Sequence, residues 1–287
     1  MDRRTDPVDH FYTNQCYRTD PATETESKES EYSKKHGLLF HVITQALASV
    51  KNNPIECAVD IGGGNGSTVA MLRDHRKVAH AISYDVYVPE NGLPGIEYKK
   101  GSVERILDDF SENSVDIALM IEVIEHLFDP DSAVEGVRAI VKQNGVLILT
   151  TPNLSSLTNR FMLLLGKLPW NMEISARHSF FGRPRYVAPH LKGKEVVGHI
   201  RLFTFDTIVE FLEYYGWTIE NAFTLPQQRY PEPKPEHFAR KADYYKFRLA
   251  NILISMTEKL SVRLHKSLGT HIVVVCRKSS LPVLKSD

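Results

Sequence analysis

The stretch whose reading decides the fold is VDIGGGNGST, residues 59–68. Glycines stand at positions 62, 63, 64 and 66, directly after the apolar run IECAVDI. A short apolar run that passes through glycines into a helical pattern reads as strand, turn, helix. Glycine allows left-handed backbone at such a turn and lets a ligand come close to the main chain. Spacing sorts the ligands. A phosphate-cradling P-loop needs a lysine after the last glycine, and none follows Gly66. The dinucleotide fingerprint G-x-G-x-x-G needs its third glycine where Ser67 stands, which weakens that reading.

Outward from the loop, apolar strands alternate with helices. IECAVDI (55–61), VAHAISYDV (78–86), IEYKKGS (96–102), VDIALMIEV (115–123) and VLILTT (146–151) read as five strands. GSTVAMLRDH (66–75) and DSAVEGVRAIVK (131–142) read as helices, the second capped by Asp131 or Ser132 and closed by Asn144–Gly145. This order implies a parallel sheet covered on both faces. Beyond Pro152 the pattern loosens. SLTNRFMLLLGKL (156–168) reads as a helix, and a stretch rich in Gly, Pro, Arg and His extends to residue 200. DTIVEFLEYYG (206–216) is a helix with Asp206 as cap and Gly216 as stop, followed by the strand WTIENAF. A proline-rich link, a long helix over about 237–267 and a last strand THIVVVCRK complete the chain. Upstream, Leu38, Leu39, Val42, Ile43, Leu47 and Val50 mark a helix from Glu31. Residues 1–30 are polar and read as a flexible lead or lid; residues 31–287 read as a single domain with an insertion over about 154–200.

Lys plus Arg total 35 and Asp plus Glu total 35, so no global field draws the chain to nucleic acid. Cys16, Cys57 and Cys276 show neither zinc nor disulfide-scaffold spacing. The start, MDRRTDPVDHF, lacks the apolar core of a signal peptide, and no apolar run approaches a spanning helix. A soluble, cytoplasmic protein is expected.

Asp85 ends the second strand, 19 residues beyond Gly66, where a carboxylate can accept hydrogen bonds from ribose hydroxyls. With Asp60 before Gly62, Gly64 and Gly66, the pattern resembles the class I S-adenosylmethionine-dependent methyltransferases. The resemblance implies an α/β, Rossmann-like methyltransferase fold: a mostly parallel seven-stranded sheet with helices on both faces, an N-terminal helix and an acceptor-covering insertion. It also implies roles. Asp60 orients the amino-acid end of the cofactor, and the three glycines admit its methionine part. Asp85 holds the ribose. Ser102 and Val103 lie toward the adenine, where the family often has an acidic residue instead of serine, and Ile121 closes the fourth strand.

EVIEHLFDP places Glu122, Glu125 and His126 at i, i+3 and i+4, on one face if the turn is helical. It ends the fourth strand, beside the expected reaction centre. His126 is the candidate general base for a hydroxyl acceptor. E-x-x-E-H with a later histidine, here His199 in GHIRLF, is similar to two groups of metal-dependent O-methyltransferases. One makes ubiquinone precursors; the other modifies the 2′-hydroxyl of small RNAs. That likeness implies Glu122, Glu125, His126 and His199 as ligands of Mg²⁺, Mn²⁺ or Zn²⁺. The plainer alternative is a packing turn without metal.

Asn159, Arg160, Trp170, Arg177, His178, Arg183, Arg185, Tyr186 and His190 in the insertion suit a phosphate, carboxylate, sugar or base. TPNLSSLTNRFMLLLGKLP and GHIRLFTFDTIVEFLEYYGW resemble methyltransferases of surface glycans and lipid-linked sugars. RFMLLLGKLPW and FRLANILISMTEKLSVRLHK are candidates for contact with a membrane surface. The leading expectation is therefore O-methylation of a hydroxyl on a small molecule or glycan. A small-RNA 2′-O-methyltransferase is the alternative, weakened by zero net charge. An NAD-dependent oxidoreductase and a non-catalytic cofactor-binding protein are the alternatives of other classes.

Overall fold

The computed structural model describes residues 55–179, 181–183, 196–226, 235, 238 and 240–278. The polar lead, the helix read from Glu31 and the acceptor candidates Arg185, Tyr186 and His190 lie outside the described residues.

The described elements run β1 (Cys57–Ile61), α1 (Ser67–Arg76), β2 (His80–Asp85), β3 (Glu97–Lys100), β4 (Val115–Ile121), α2 (Pro130–Ile140) and β5 (Val141–Pro152). They continue with α3 (Leu157–Leu164), α4 (Phe205–Tyr214), β6 (Trp217–Leu225), α5 (Lys241–Leu264) and β7 (His271–Lys278). The strands form one seven-stranded sheet in the order β3-β2-β1-β4-β5-β7-β6. The pairs β1–β2, β1–β4, β2–β3 and β4–β5 are all parallel. Successive residues of a strand point to opposite faces. Both sets are fully buried in β4, where Ile117, Ala118, Leu119 and Met120 are all 0% exposed, so this sheet is covered on both sides. One of those faces packs Ala58, Ile117, Leu119, Val146 and Ile148 against Val69 and Leu72 of α1. The chain reverses direction of travel across the sheet at β1, with β2 on one side and β4 on the other. In open parallel sheets, ligands bind outside the carboxyl ends of the strands at such a point.

Three local readings of the sequence are corrected. Helix α2 starts at Pro130 and is capped by Asp129, whose side chain accepts from Ser132 N, not by Asp131 or Ser132. Proline fits the first helical position because its missing N–H has no partner there anyway. Asn144–Gly145 does not close α2, which already ends at Ile140. It lies within β5, where the register slips between Val115↔Val141 and Ile117↔Val146. Asn144 takes the left-handed φ of 64° there, which asparagine tolerates at a bulge. Asp206 is inside the first turn of α4 instead of capping it. Thr204 and Thr207 exchange hydroxyl and amide hydrogen bonds at that end (Thr204 N to Thr207 Oγ1, 2.8 Å; Thr207 N to Thr204 Oγ1, 3.3 Å). Gly216, at φ 77°, is the stop that the sequence indicated.

Contacts divide the chain into two compact units: Met1–Thr150 with Val209–Ala222 and Val274–Asp287, and Thr151–Ile208 with Phe223–Val273. The glycine loop, Asp85 and the E-x-x-E-H turn belong to the first unit. His199, α3 and α5 belong to the second. Among the described residues no helix is long and apolar enough to cross a membrane.

Candidate active site

In the first unit, the turn after β1 is built from left-handed backbone: Gly62, Gly64 and Gly66 have φ of 67°, 50° and 77°. An L side chain at any of them would be strained. The three differ in what a side chain would meet. A Cβ on Gly62 would come within 2.5 Å of Val123 Cγ2, and one on Gly66 within 2.9 Å of the Tyr98 hydroxyl. Among the described residues, a Cβ on Gly64 would meet nothing within 4 Å. Gly62 and Gly66 are therefore closed over by the protein itself, whereas Gly64 is left open by the described residues.

The loop is tied to the strand beside it. Gly62 N donates to Tyr84 O at 2.8 Å, Gly64 N to Asp85 Oδ2 at 2.9 Å, and Ser83 Oγ to Gly64 O at 3.3 Å. Asp85 is 3% exposed, and its Oδ1 accepts from Tyr87 N at 2.9 Å. Each carboxylate oxygen has a second lone pair for a further donor. Asp85 thus fixes the loop as well as standing where ribose hydroxyls are expected.

Asp60 is 2% exposed. It accepts hydrogen bonds from the Thr68 side chain and the Val69 amide, yet its buried Oδ2 has no hydrogen-bond partner among the described residues. Burial, and then the neighbouring Asp85 charge, push its pKa up to about 7. A buried carboxylate oxygen with no donor is costly, and a cationic or donor group of a ligand would remove that cost. Together with the open face at Gly64, this fits the amino-acid end of S-adenosylmethionine.

The remaining cofactor candidates lie at neighbouring strand ends. Ser102 precedes the 3-10 turn Val103–Asp108, and its carbonyl accepts from the Tyr84 hydroxyl at 3.0 Å. Val103 is 7% exposed, and Ile121 is the last residue of β4, paired with Thr150.

The E-x-x-E-H turn is not one helical face. Only Ile124–His126 form a 3-10 turn, and Glu122 precedes it at a left-handed φ of 56°. Glu122 is clasped by Thr150. Its amide donates to Thr150 O at 3.0 Å and to Thr150 Oγ1 at 3.2 Å, and its Oε1 accepts from the Thr150 hydroxyl at 2.9 Å. Glu125 and His126 do face each other: His126 Nε2 is 3.9 Å from Glu125 Oε1, with side chains 17% and 1% exposed. The buried carboxylate lies beside the imidazole, where it can stabilise a positive charge that forms on the ring.

In the second unit, His199 Nδ1 is 2.9 Å from Asn171 O. A carbonyl only accepts, so Nδ1 carries the proton and the lone pair of the neutral ring sits on Nε2. Several acceptor candidates turn out to be framework. Asn159 is 1% exposed; its Nδ2 donates to Asn153 O and Asn171 Oδ1, both at 3.0 Å, and its Oδ1 accepts from Trp170 N at 2.8 Å. Arg183 donates to Pro169 O and Met172 O, both at 2.9 Å, and lies over the Trp170 ring. Arg177 and His178 are exposed.

Sequence reasoning missed Ser83, Thr68 and Tyr98, whose hydroxyl donates to Asn65 O at 2.8 Å. Ser83 was findable: it stands two residues before Asp85 and so shares its face of the strand.

Residues 33–222 match the family model described as a methyltransferase domain. The chain belongs to that family. A curated ubiquinone biosynthesis O-methyltransferase of Maricaulis maris is 29% identical over 124 residues, 40% of this chain and 46% of that protein. The chain thus matches about half the length of this curated relative. Among solved structures, a Haloferax volcanii complex between a methyltransferase activator and a methyltransferase has a TM-score of 0.53 at 16% identity, covering 96% of this chain and 99% of the other. An Archaeoglobus fulgidus S-adenosylmethionine-dependent methyltransferase gives 0.51 at 15% identity, covering 87% and 99%. These likenesses show the shared fold. Family membership sets the nicotinamide reading aside.

Proposed function

We propose that this protein is an S-adenosylmethionine-dependent O-methyltransferase acting on a hydroxyl of a small molecule or glycan. When bound, the cofactor supplies an electrophilic methyl group. Asp60 meets its ammonium end, Gly64 admits its chain, Asp85 holds the ribose, and Ser102, Val103 and Ile121 border the base. The observation that carries the oxygen acceptor is the imidazole of His126 against the buried carboxylate of Glu125. His126 takes the proton of the acceptor hydroxyl, and Glu125 stabilises the imidazolium that results. Glu122, held by Thr150, sets where that turn leaves β4. The ubiquinone-pathway relative favours an oxygen acceptor. Arg160, Arg177 and His178 remain candidates for contact with it. Three sparse cysteines, two of them buried or half-buried free thiols, favour a cytoplasmic site of action.

The test supplies methyl-labelled cofactor to small-molecule, glycan and RNA fractions of the native cell. Label appearing as a methyl ether in the first or second supports the reading. Label in RNA selects the 2′-hydroxyl alternative, and no label despite tight cofactor binding removes catalysis altogether. A metal-assisted form, which the resemblance of the E-x-x-E-H turn implies, would add a divalent ion at Glu125 and His126 of the first unit, whose side chains face each other. Full activity after exhaustive chelation would remove it.

A further inference from the structure

Helix α5 wears its polarity inside out. Asn251, Ser255, Glu258 and Ser261 are at most 5% exposed. One oxygen of Glu258 accepts from the Thr158 hydroxyl of α3, and Ser261 Oγ donates to Glu258 O at 2.8 Å, so the polar face is turned into the unit. The opposite face carries Tyr245, Leu249, Leu253, Met256, Leu260 and Leu264, all 53–72% exposed. They recur in steps of four, four, three, four and four residues, which keeps them on one stripe. Helix α3 packs against α5 in the same unit and ends in further exposed apolar residues: Phe161 54%, Leu164 80% and Leu165 70%. An apolar surface of this kind on a water-exposed protein marks an interaction site.

Charge selects the occupant. At about 100° per residue, Lys241, Lys259 and Arg263 fall on one edge of the stripe and Lys246 on the other. The acids of α5 are the buried Glu258 and Asp243, and Asp243 lies 3.7 Å from Lys246. Helix α3 and the residues after it add Arg160 and Lys167, with no acid from 157 to 168. A chain of zero net charge has thus concentrated cations around one apolar face. A second copy brought against this face would set lysine edges against lysine edges, which disfavours self-association. A layer of acidic headgroups over acyl chains complements both features: apolar side chains enter the interface while lysines reach back to phosphates. We propose that the α3–α5 face docks onto an anionic lipid surface, lying on the membrane without crossing it.

The experiment is flotation of the full chain with neutral phosphatidylcholine vesicles and with vesicles containing phosphatidylglycerol. The expected result is retention on the anionic vesicles alone, released by high salt. Leu253→Glu with Leu260→Glu should abolish retention, while circular dichroism and S-adenosylhomocysteine affinity stay those of the wild type. Lys246→Ala and Lys259→Ala should each weaken retention by about fivefold. The proposal is overturned if the protein stays with the soluble fraction, or if the double leucine variant floats like the wild type. It is equally overturned, in favour of a second copy, by a dimer that the double leucine variant dissolves.

Discussion

Two polar clusters, one in each unit, invite comparison. Among the described residues, Asp60 in the first is buried with one carboxylate oxygen lacking a donor, in the same loop as a glycine whose Cβ position is open. Asn159 in the second is equally buried, but both ends of its amide are matched to Asn153, Trp170 and Asn171. Both stretches looked functional as sequence, because both are rich in groups that can bind something. Their difference is one of completeness. A saturated cluster has no bond left to give a ligand and acts as framework. An unsaturated one carries a standing free-energy cost that a ligand removes.

The largest effect should come from the E-x-x-E-H turn. His126→Ala is expected to lower methyl transfer about 10²–10⁴-fold while calorimetric S-adenosylhomocysteine affinity is kept. An unchanged rate would leave the O-methylation reading without its base. Next in size, Asn159→Ala leaves several buried groups unmatched. It should destabilise the fold by about 2–4 kcal/mol in denaturant titration, with cofactor affinity of the folded protein unchanged. A loss of affinity instead would make Asn159 part of the site and erase the contrast.

Asp60→Asn probes the unsaturated side through pH. The pKa raised from 3.8 to about 7 means that the folded state keeps a proton the unfolded chain has lost. Its stabilising contribution is full below pH ~4 and is lost as pH rises to ~7. The variant should remove that slope from urea midpoints measured across this window. In binding, the wild type should take up S-adenosylhomocysteine more tightly as pH rises through ~7, because the ionised carboxylate is the form that attracts an ammonium. Asp60→Asn should flatten this dependence and weaken binding about tenfold at pH 8. The smallest effect on stability belongs to Gly64→Ala, about 1–2 kcal/mol for a left-handed alanine in open space. Its cofactor affinity should fall well beyond that, since the added methyl group occupies the ligand's approach.

The glycine turn, the strand that ends at Asp85 and the parallel sheet were legible because each rests on a local demand of the backbone: a left-handed turn, a strand end, an alternation. What escaped depends on neighbours distant in sequence. Nothing in the insertion's own sequence says that Asn159 would find Asn171 and the Trp170 amide, so framework looked like a binding patch. E-x-x-E-H suggested one helical face, but Thr150, 28 residues after Glu122, bends that residue out of the helix. The cap of α2 was displaced because the reading began after the proline and not before it.

Glu122 also bears on how this protein can be improved. At φ 56° it holds a conformation that glycine or asparagine would adopt with less strain. Glu122→Gly relieves that strain, but it adds freedom to the unfolded chain and leaves the buried Thr150 hydroxyl without its acceptor, so the variant should be no more stable than the parent in denaturant titration. The bond to Thr150 is what holds a glutamate in a backbone conformation it would otherwise avoid.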